Sequence, residues 1–195
     1  SLPGVEAVLT WKDIPGNNID GYLVKDVPTL VPAGECTRCV GDAVALIGAA
    51  DQRIAEEAAR LIEAEYEVLE PVVDHVEAMK EGAPPIHEKG NILSHTHICC
   101  GEPAKAMEES RHVIRNTFAL PGTDQAFLEP ESSVAFYEGD VLTVYSTSQS
   151  VYHDLHSLCN ILGLPESKVR VKSKYVGGAF GGKEDLHVQQ YAALL

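Results

Sequence analysis

Four of the six residues from 177 to 182 are glycine, in the stretch Val176-Gly177-Gly178-Ala179-Phe180-Gly181-Gly182-Lys183-Glu184. No other feature restricts the chain as much. Glycine has no Cβ, so such a run marks backbone that adopts positive φ or that something approaches closely. The segment before it reads as a strand with period two: Val169, Val171, Ser173 and Tyr175 point one way, Lys168, Arg170, Lys172 and Lys174 the other. A helix is expected after it, from near Asp185 and still running at Leu195. Strand, glycine loop and helix in that order bring free backbone N–H groups beside a helix N-terminus, a setting that favours negative charge. The plainer alternative is a tight strand-to-helix turn with Phe180 in the core. The basic strand face could raise the potential near an anion, but a solvated strand face accounts for it equally well.

The rest of the chain divides into two regions. In the first, to about Ala83, Val5–Thr10 reads as a strand, and 13–35, rich in Pro, Gly and Asn, as a long loop. Asp42–Ala49 is a short apolar run suited to a buried strand, and Asp51 is placed to cap a helix bearing Ile54, Ala58, Leu61 and Ile62. Glu65–Val73 is expected to return as a strand, followed by a short helix over 74–80. Gly82-Ala83-Pro84-Pro85 reads as a linker, and 88–109 has no pattern that assigns it. In the second region, strands are expected over 112–120, 133–137 and 141–146, the last two joined through Glu138-Gly139-Asp140. Ser150 then starts a helix that Gly163 ends, with Pro165 preventing its continuation.

Composition sets outer bounds. Of 195 residues, 45% are hydrophobic and 23% charged, which fits a globular protein and neither a disordered nor a fibrous one. A formal net charge of −14 repels phosphate backbones and argues against nucleic-acid binding. No apolar run approaches the ~20 residues that span a bilayer. The opening Ser1-Leu2-Pro3-Gly4 lacks a signal-peptide layout, and the absence of an initiator Met is expected of an excised piece of a longer protein. Five Cys without a secretion signal read as reduced cytoplasmic thiols.

Several chemistries compete. Gly177, Gly182 and Lys183 match a P-loop, but Glu184 stands where the magnesium-binding hydroxyl belongs and would face nucleotide phosphates. Cys36, Cys39, Cys99 and Cys100, with His95 and His97, could form a zinc site; adjacent Cys99-Cys100 is an awkward second half, and buried or partly exposed thiols are the simpler reading. No metal ligands are assigned. There is no His-Glu-x-x-His and no Gly-x-Ser-x-Gly elbow, so zinc and serine hydrolases have no machinery here.

The loop resembles the Gly-Gly-Gly-Phe-Gly-Gly-Lys loop of the molybdenum hydroxylase large subunit, the family of xanthine dehydrogenase and aldehyde oxidase, with Ala179 as the one change. The resemblance extends along the chain. It takes in 3–10 with Asp13-Ile14-Pro15-Gly16, then Val40–Ala45, the helix over 52–63, and 66–74. Phe127-Leu128-Glu129-Pro130-Glu131, Ser146-Thr147-Ser148-Gln149-Ser150 and Leu162-Gly163-Leu164-Pro165 continue it toward the loop. Their order and spacing carry the likeness together. The implied fold is α+β: an α/β-hammerhead domain over 1–83, a linker over 84–111, and the first part of a molybdenum-cofactor-binding domain over 112–195.

The resemblance implies a molybdenum–molybdopterin cofactor packed against the loop, making Gly178, Ala179, Phe180 and Gly181 its neighbours. Many members place a Gln five residues before the Leu-Glu pair, in contact with an oxygen on molybdenum. Thr123 holds that position, and Gln125, two residues on and on the same strand face, is preferred for the role. Glu184 resembles a residue that hydrogen-bonds substrate in purine-oxidising members, which favours an N-heterocycle over a simple aldehyde. The implied reaction hydroxylates an sp2 carbon with oxygen from water. Its electrons leave through iron–sulfur clusters and FAD on other domains or subunits of an oligomeric, cytoplasmic enzyme. The family's catalytic Glu lies far C-terminal of the loop, so no catalytic residue is assigned here, and the piece alone is expected to be inactive. The rival reading is a cofactor-free relative or interaction domain that kept the fold, with Ala179 and Thr123 in its favour.

Overall fold

A computed structural model describes residues 2–87 and 89–195; Ser1, and Glu88 in the expected linker, lie outside the described residues. The chain forms two units, one running to Ala64 and resuming over Asp124–Leu195, the other over Glu65–Thr123.

The first unit is built around a three-stranded sheet of β5 (Ser133–Glu138), β6 (Val141–Ser146) and β7 (Val169–Ser173). β5 and β6 pair antiparallel across the expected tight turn, where Gly139 takes φ 65°. β6 and β7 pair parallel, and the crossover between them is α3 (Val151–Leu162). Leu142 and Val144 on β6, Leu158 and Leu162 on α3, and Val169 on β7 form the buried core. Burying each such aliphatic side chain is worth about 1.5–3 kcal/mol. Leu186, Ala193 and Leu194 close over it, the last two from α4 (Gln189–Leu194).

Gly163 ends α3 in the left-handed conformation, φ 65°, as its position predicts. The last carbonyls of α3 are satisfied from far away in sequence. Gly16 N–H donates to Ile161 O and Asn17 N–H to Asn160 O, both at 2.9 Å. Only glycine fits at 16, since a Cβ there would stand 2.2 Å from Asn160 O.

The remaining ladders are small. β1 (Val5–Leu9) pairs antiparallel with β4 (Leu46–Ala49), and α1 (Gln52–Ala59) follows. Asp51 caps α1 as expected, its Oδ1 accepting from Ile54 N–H at 2.8 Å. The long loop over 13–35 holds a two-residue ladder of β2 (Ile19–Asp20) with β3 (Val27–Pro28). Asn18 pins it: its side-chain amide donates to Leu30 O at 2.8 Å and accepts from Leu30 N–H at 3.0 Å.

The structure departs from the sequence reading at several places. Glu65–Val73 and His112–Leu120 form no strand. Both lie in the second unit without regular secondary structure; no ladder pairs them, and Val68, Val73, Ile114, Phe118 and Leu120 are exposed. Apolar alternation makes a strand only when a neighbour takes up its backbone hydrogen bonds. The helix α2 (Pro103–Glu109) lies in the segment that had no pattern. α4 starts at Gln189 and not near Asp185, because Gln189 Oε1 accepts from the His187 and Val188 N–H groups, which sets the first turn there. Ser150 occupies the N-cap of α3, but its side chain makes no cap bond.

Candidate functional site

The glycine loop follows β7 and is held by two residues that are distant in sequence. At its leading end Gly177 N–H donates to the Glu129 carboxylate at 2.6 Å, and Glu129 N–H donates back to Gly177 O at 3.2 Å. The Gly177 N–H, and behind it the Lys183 ammonium, hold the Glu129 carboxyl below its ordinary 4.5, against a smaller opposing effect of burial. At the trailing end Gln149 Oε1 accepts from Gly181 N–H at 3.0 Å and Lys183 N–H at 3.2 Å, while Gln149 N–H donates to Lys183 O at 3.1 Å. Lys183 is fully buried. Its ammonium donates to Glu129 O at 2.7 Å, lies 3.5 Å from the Glu129 carboxylate, and sits over the Phe127 ring, 4.5 Å from its centroid.

The segment that carries Gln149 is braced from behind. Asp154 on α3 is buried and accepts from the Ser146 hydroxyl at 3.3 Å and from Gln189 Nε2 at 3.5 Å. Burial pushes its carboxyl above the ordinary 3.8, with the Ser148 and Ser146 hydroxyls pulling the other way.

Between these anchors the loop turns outward. Phe180 takes φ 54° and is 74% exposed, so it is not a core residue. Ala179 is buried. Among the described residues no hydrogen bond reaches the amides of Gly178, Ala179 or Phe180. A cavity of about 510 Å³ lies against the loop, lined by Gln125, Phe127, Gly181 and Gly182, with Asp124, Glu131, Asp185 and His187 among the polar groups around it. A Cβ on Gly181 would meet nothing within 4 Å, so the loop is open on that side. A Cβ on Gly182 would stand 2.8 Å from the Phe127 ring, so there the backbone itself is the cavity wall.

The cavity thus brings Gln125 and Gly181 together, with Gly178, Ala179 and Phe180 next along the loop. Thr123 lies in the other unit. Ala179 does not line the cavity, so its methyl leaves it open. Glu184 is half-buried and is not among the lining residues; Asp185 and His187 are. The anchors Gln149, Glu129 and Lys183 have no signature in sequence as anchors, because their bonds span 32 to 54 residues. Among the described residues no group of three or more His, Cys, Asp or Glu is placed to hold a metal. Cys36, Cys39, Cys99 and Cys100 are free and exposed, and the Cys39 thiol bonds to Asp42.

This geometry fits a metal–pterin group that needs no side-chain ligand. The loop offers unengaged amides, an open flank at Gly181 and a fixed backbone. The carboxylates around the cavity would repel an anion, so an anionic group has to be held by amides.

A hammerhead domain joined to a cofactor-binding α+β domain, with a glycine loop facing a cavity, defines a class of molybdopterin-binding oxidoreductase subunits. Residues 86–195 match the molybdopterin cofactor-binding domain family, and residues 1–70 match the aldehyde oxidase and xanthine dehydrogenase a/b hammerhead domain. The chain belongs to the molybdenum hydroxylase family of xanthine dehydrogenases and aldehyde oxidases. Over its whole length it is 39% identical to a probable xanthine dehydrogenase subunit of Bacillus subtilis (strain 168), spanning 26% of that protein. It is 37% identical to the nicotinate dehydrogenase large molybdopterin subunit of Eubacterium barkeri, spanning 46% of it. The chain therefore covers about a quarter to a half of these relatives. Among solved structures, quinoline 2-oxidoreductase from Pseudomonas putida 86 superposes with a TM-score of 0.82 at 30% identity, over 98% of this chain and 25% of that one. The aldehyde oxidoreductase of Desulfovibrio gigas shares the fold, with a TM-score of 0.85 at 22% identity over 99% of this chain and 22% of that one. These matches do not favour a cofactor-free relative. Among the described residues no helix is long and apolar enough to cross a membrane.

Proposed function

We propose that this chain supplies part of the cofactor and substrate pocket of an enzyme that hydroxylates an sp2 carbon of an N-heterocycle, purine-like in kind, with oxygen from water; aldehydes are the second substrate class. One observation carries the reading: among the described residues the amides of 178–180 have no hydrogen-bond partner, on a loop fixed at both ends whose Gly181 and Gly182 line an open cavity. Gly178, Ala179, Phe180 and Gly181 would hold a molybdenum–molybdopterin group through backbone, and Gln125 would offer its side-chain amide to an oxygen of that group from the cavity wall. When bound, the group supplies a two-electron oxidation of carbon coupled to oxygen transfer from water.

The chain's own residues orient and shield. The exposed Phe180 ring presents an apolar face that excludes water and stacks on a flat heterocycle. Glu184 binds ring nitrogens or carbonyls, accepting when ionised and donating when protonated. The catalytic base is assigned to none of the residues here. Electrons leave to iron–sulfur and FAD modules on other domains or subunits of an oligomer, in the cytoplasm. The hammerhead domain is assigned to 1–83, the linker to 84–111 and the cofactor-binding part to 112–195. Support for an N-heterocycle comes from relatives at 30% identity or more, which are named for xanthine, nicotinate and quinoline.

The test uses the purified holoenzyme. It should contain molybdenum and pterin in stoichiometric amounts. Glu184→Ala should lower kcat/KM for an N-heterocycle about 10–100-fold, because a polar partner is left unpaired, while aldehyde turnover changes only a few-fold. Absence of molybdenum, or an equal loss on both substrates, would falsify the reading.

A further inference from the structure

The glycine loop is strung between two brackets before any cofactor is considered. Glu129 holds Gly177 in both directions, and Gln149 holds Gly181 and Lys183. Lys183 then reaches back under the loop to Glu129 O, closing a ring through Gly177, the loop, Lys183 and Glu129. Phe127 fills that ring from below: its ring lies under the Lys183 ammonium, and its side chain abuts both Gly178 and Gly182. A fully buried ammonium is costly unless it is hydrogen-bonded, so its partners are fixed and not interchangeable. The amides these residues engage are at 177, 181 and 183, and that of 182 donates to Ala179 O; among the described residues those of 178–180 have no partner.

We propose that Gln149 and Lys183 are positioning residues that preform the glycine loop, committing its two ends and leaving its middle amides unbonded before the cofactor arrives. The inference rests on the cofactor reading for its purpose, but the preformed ring is a property of the chain alone. Gln149 acts only as an acceptor toward the loop. A carboxylate oxygen replaces that role, and an aliphatic side chain does not.

The experiment compares wild type, Gln149→Leu, Gln149→Glu and Lys183→Met in the holoenzyme and in the same protein freed of cofactor. Amide hydrogen exchange is read at 177–183, with β6 and α3 as internal controls of folding, and molybdenum per chain is measured beside it. In the cofactor-free protein, Gln149→Leu should speed exchange at Gly181 and Lys183 about tenfold, the factor for losing one hydrogen bond. β6 and α3 should stay protected, and molybdenum content should drop several-fold. Gln149→Glu should restore both readouts toward wild type. Lys183→Met keeps the buried stem and removes its donors; it should loosen the loop from the other side, and it stands as the test if Gln149→Leu does not fold. Exchange unchanged in the variants that fold overturns the proposal, as does equal damage from Leu and Glu at 149. A wild-type protein that binds no molybdenum defeats the functional reading instead, and the exchange arm still decides whether the ring is preformed.

Discussion

Phe180 and Ala126 are the two non-glycine residues with positive φ among the described residues, at 54° and 50°. For a bulky side chain this conformation costs of order 1–3 kcal/mol and persists only where the surroundings impose it. Phe180 is mostly exposed, so core packing does not repay that cost. Phe180→Gly should therefore raise the unfolding free energy by about 1 kcal/mol in denaturant titration, while the holoenzyme loses turnover; a destabilised variant would show that the ring is structurally needed. The same residue shows what sequence can reveal. The glycine spacing marks the loop, but not whether Phe180 points inward or outward, since both fit a strand-to-helix turn. Lys183 is harder still. In a P-loop it would reach for phosphate, whereas here it is buried beneath the loop on Glu129 and Phe127. Gln125, Gly178, Ala179, Phe180 and Gly181 could be named as candidates from the sequence; the bonds that shape them could not, because no periodicity encodes a contact 32 residues away.

Secondary elements were legible where local pattern and tertiary partner agree. β6 and α3 are examples: one is a short apolar strand buried on both faces, the other a helix with a clear stop at Gly163. The stretches 65–73 and 112–120 have comparable apolar content and no ladder, so the pattern there reports composition and not pairing. α3 also carries a conflict of its own in the buried Asp154. Its carboxyl is raised above 3.8, so the folded state holds the proton more tightly than the unfolded chain. Stability is therefore greatest while the group is protonated, and it declines as pH rises through the raised value. Asp154→Asn removes that decline. Its unfolding free energy relative to wild type should improve from about pH 4 upward and then level off once the native carboxylate is ionised. A pH series of denaturant melts checks this, and a difference that is flat or shrinks with pH contradicts it.

At the scale of the molecule, a net charge of −14 and the sheet-centred core describe a strongly acidic surface around a modest interior. The unit over Glu65–Thr123 differs: it holds one seven-residue helix and a 3-10 turn, no ladder among its described residues, and many exposed apolar side chains. Few buried contacts mean a low local opening free energy. Limited proteolysis of this polypeptide should cut first within 65–123 and leave the β5–β7 region intact; first cuts in β6 or α3 would contradict that. Tertiary arrangement was the least legible level, and the segment at Gly16 shows why. It belongs by sequence to the hammerhead match, yet it completes the end of a helix that belongs to the cofactor-binding match. The two regions therefore do not behave as interchangeable modules: a chimera that took its first seventy or so residues from a distant relative would have to bring a glycine and two correctly aimed amides with it, or leave the last turn of that helix frayed.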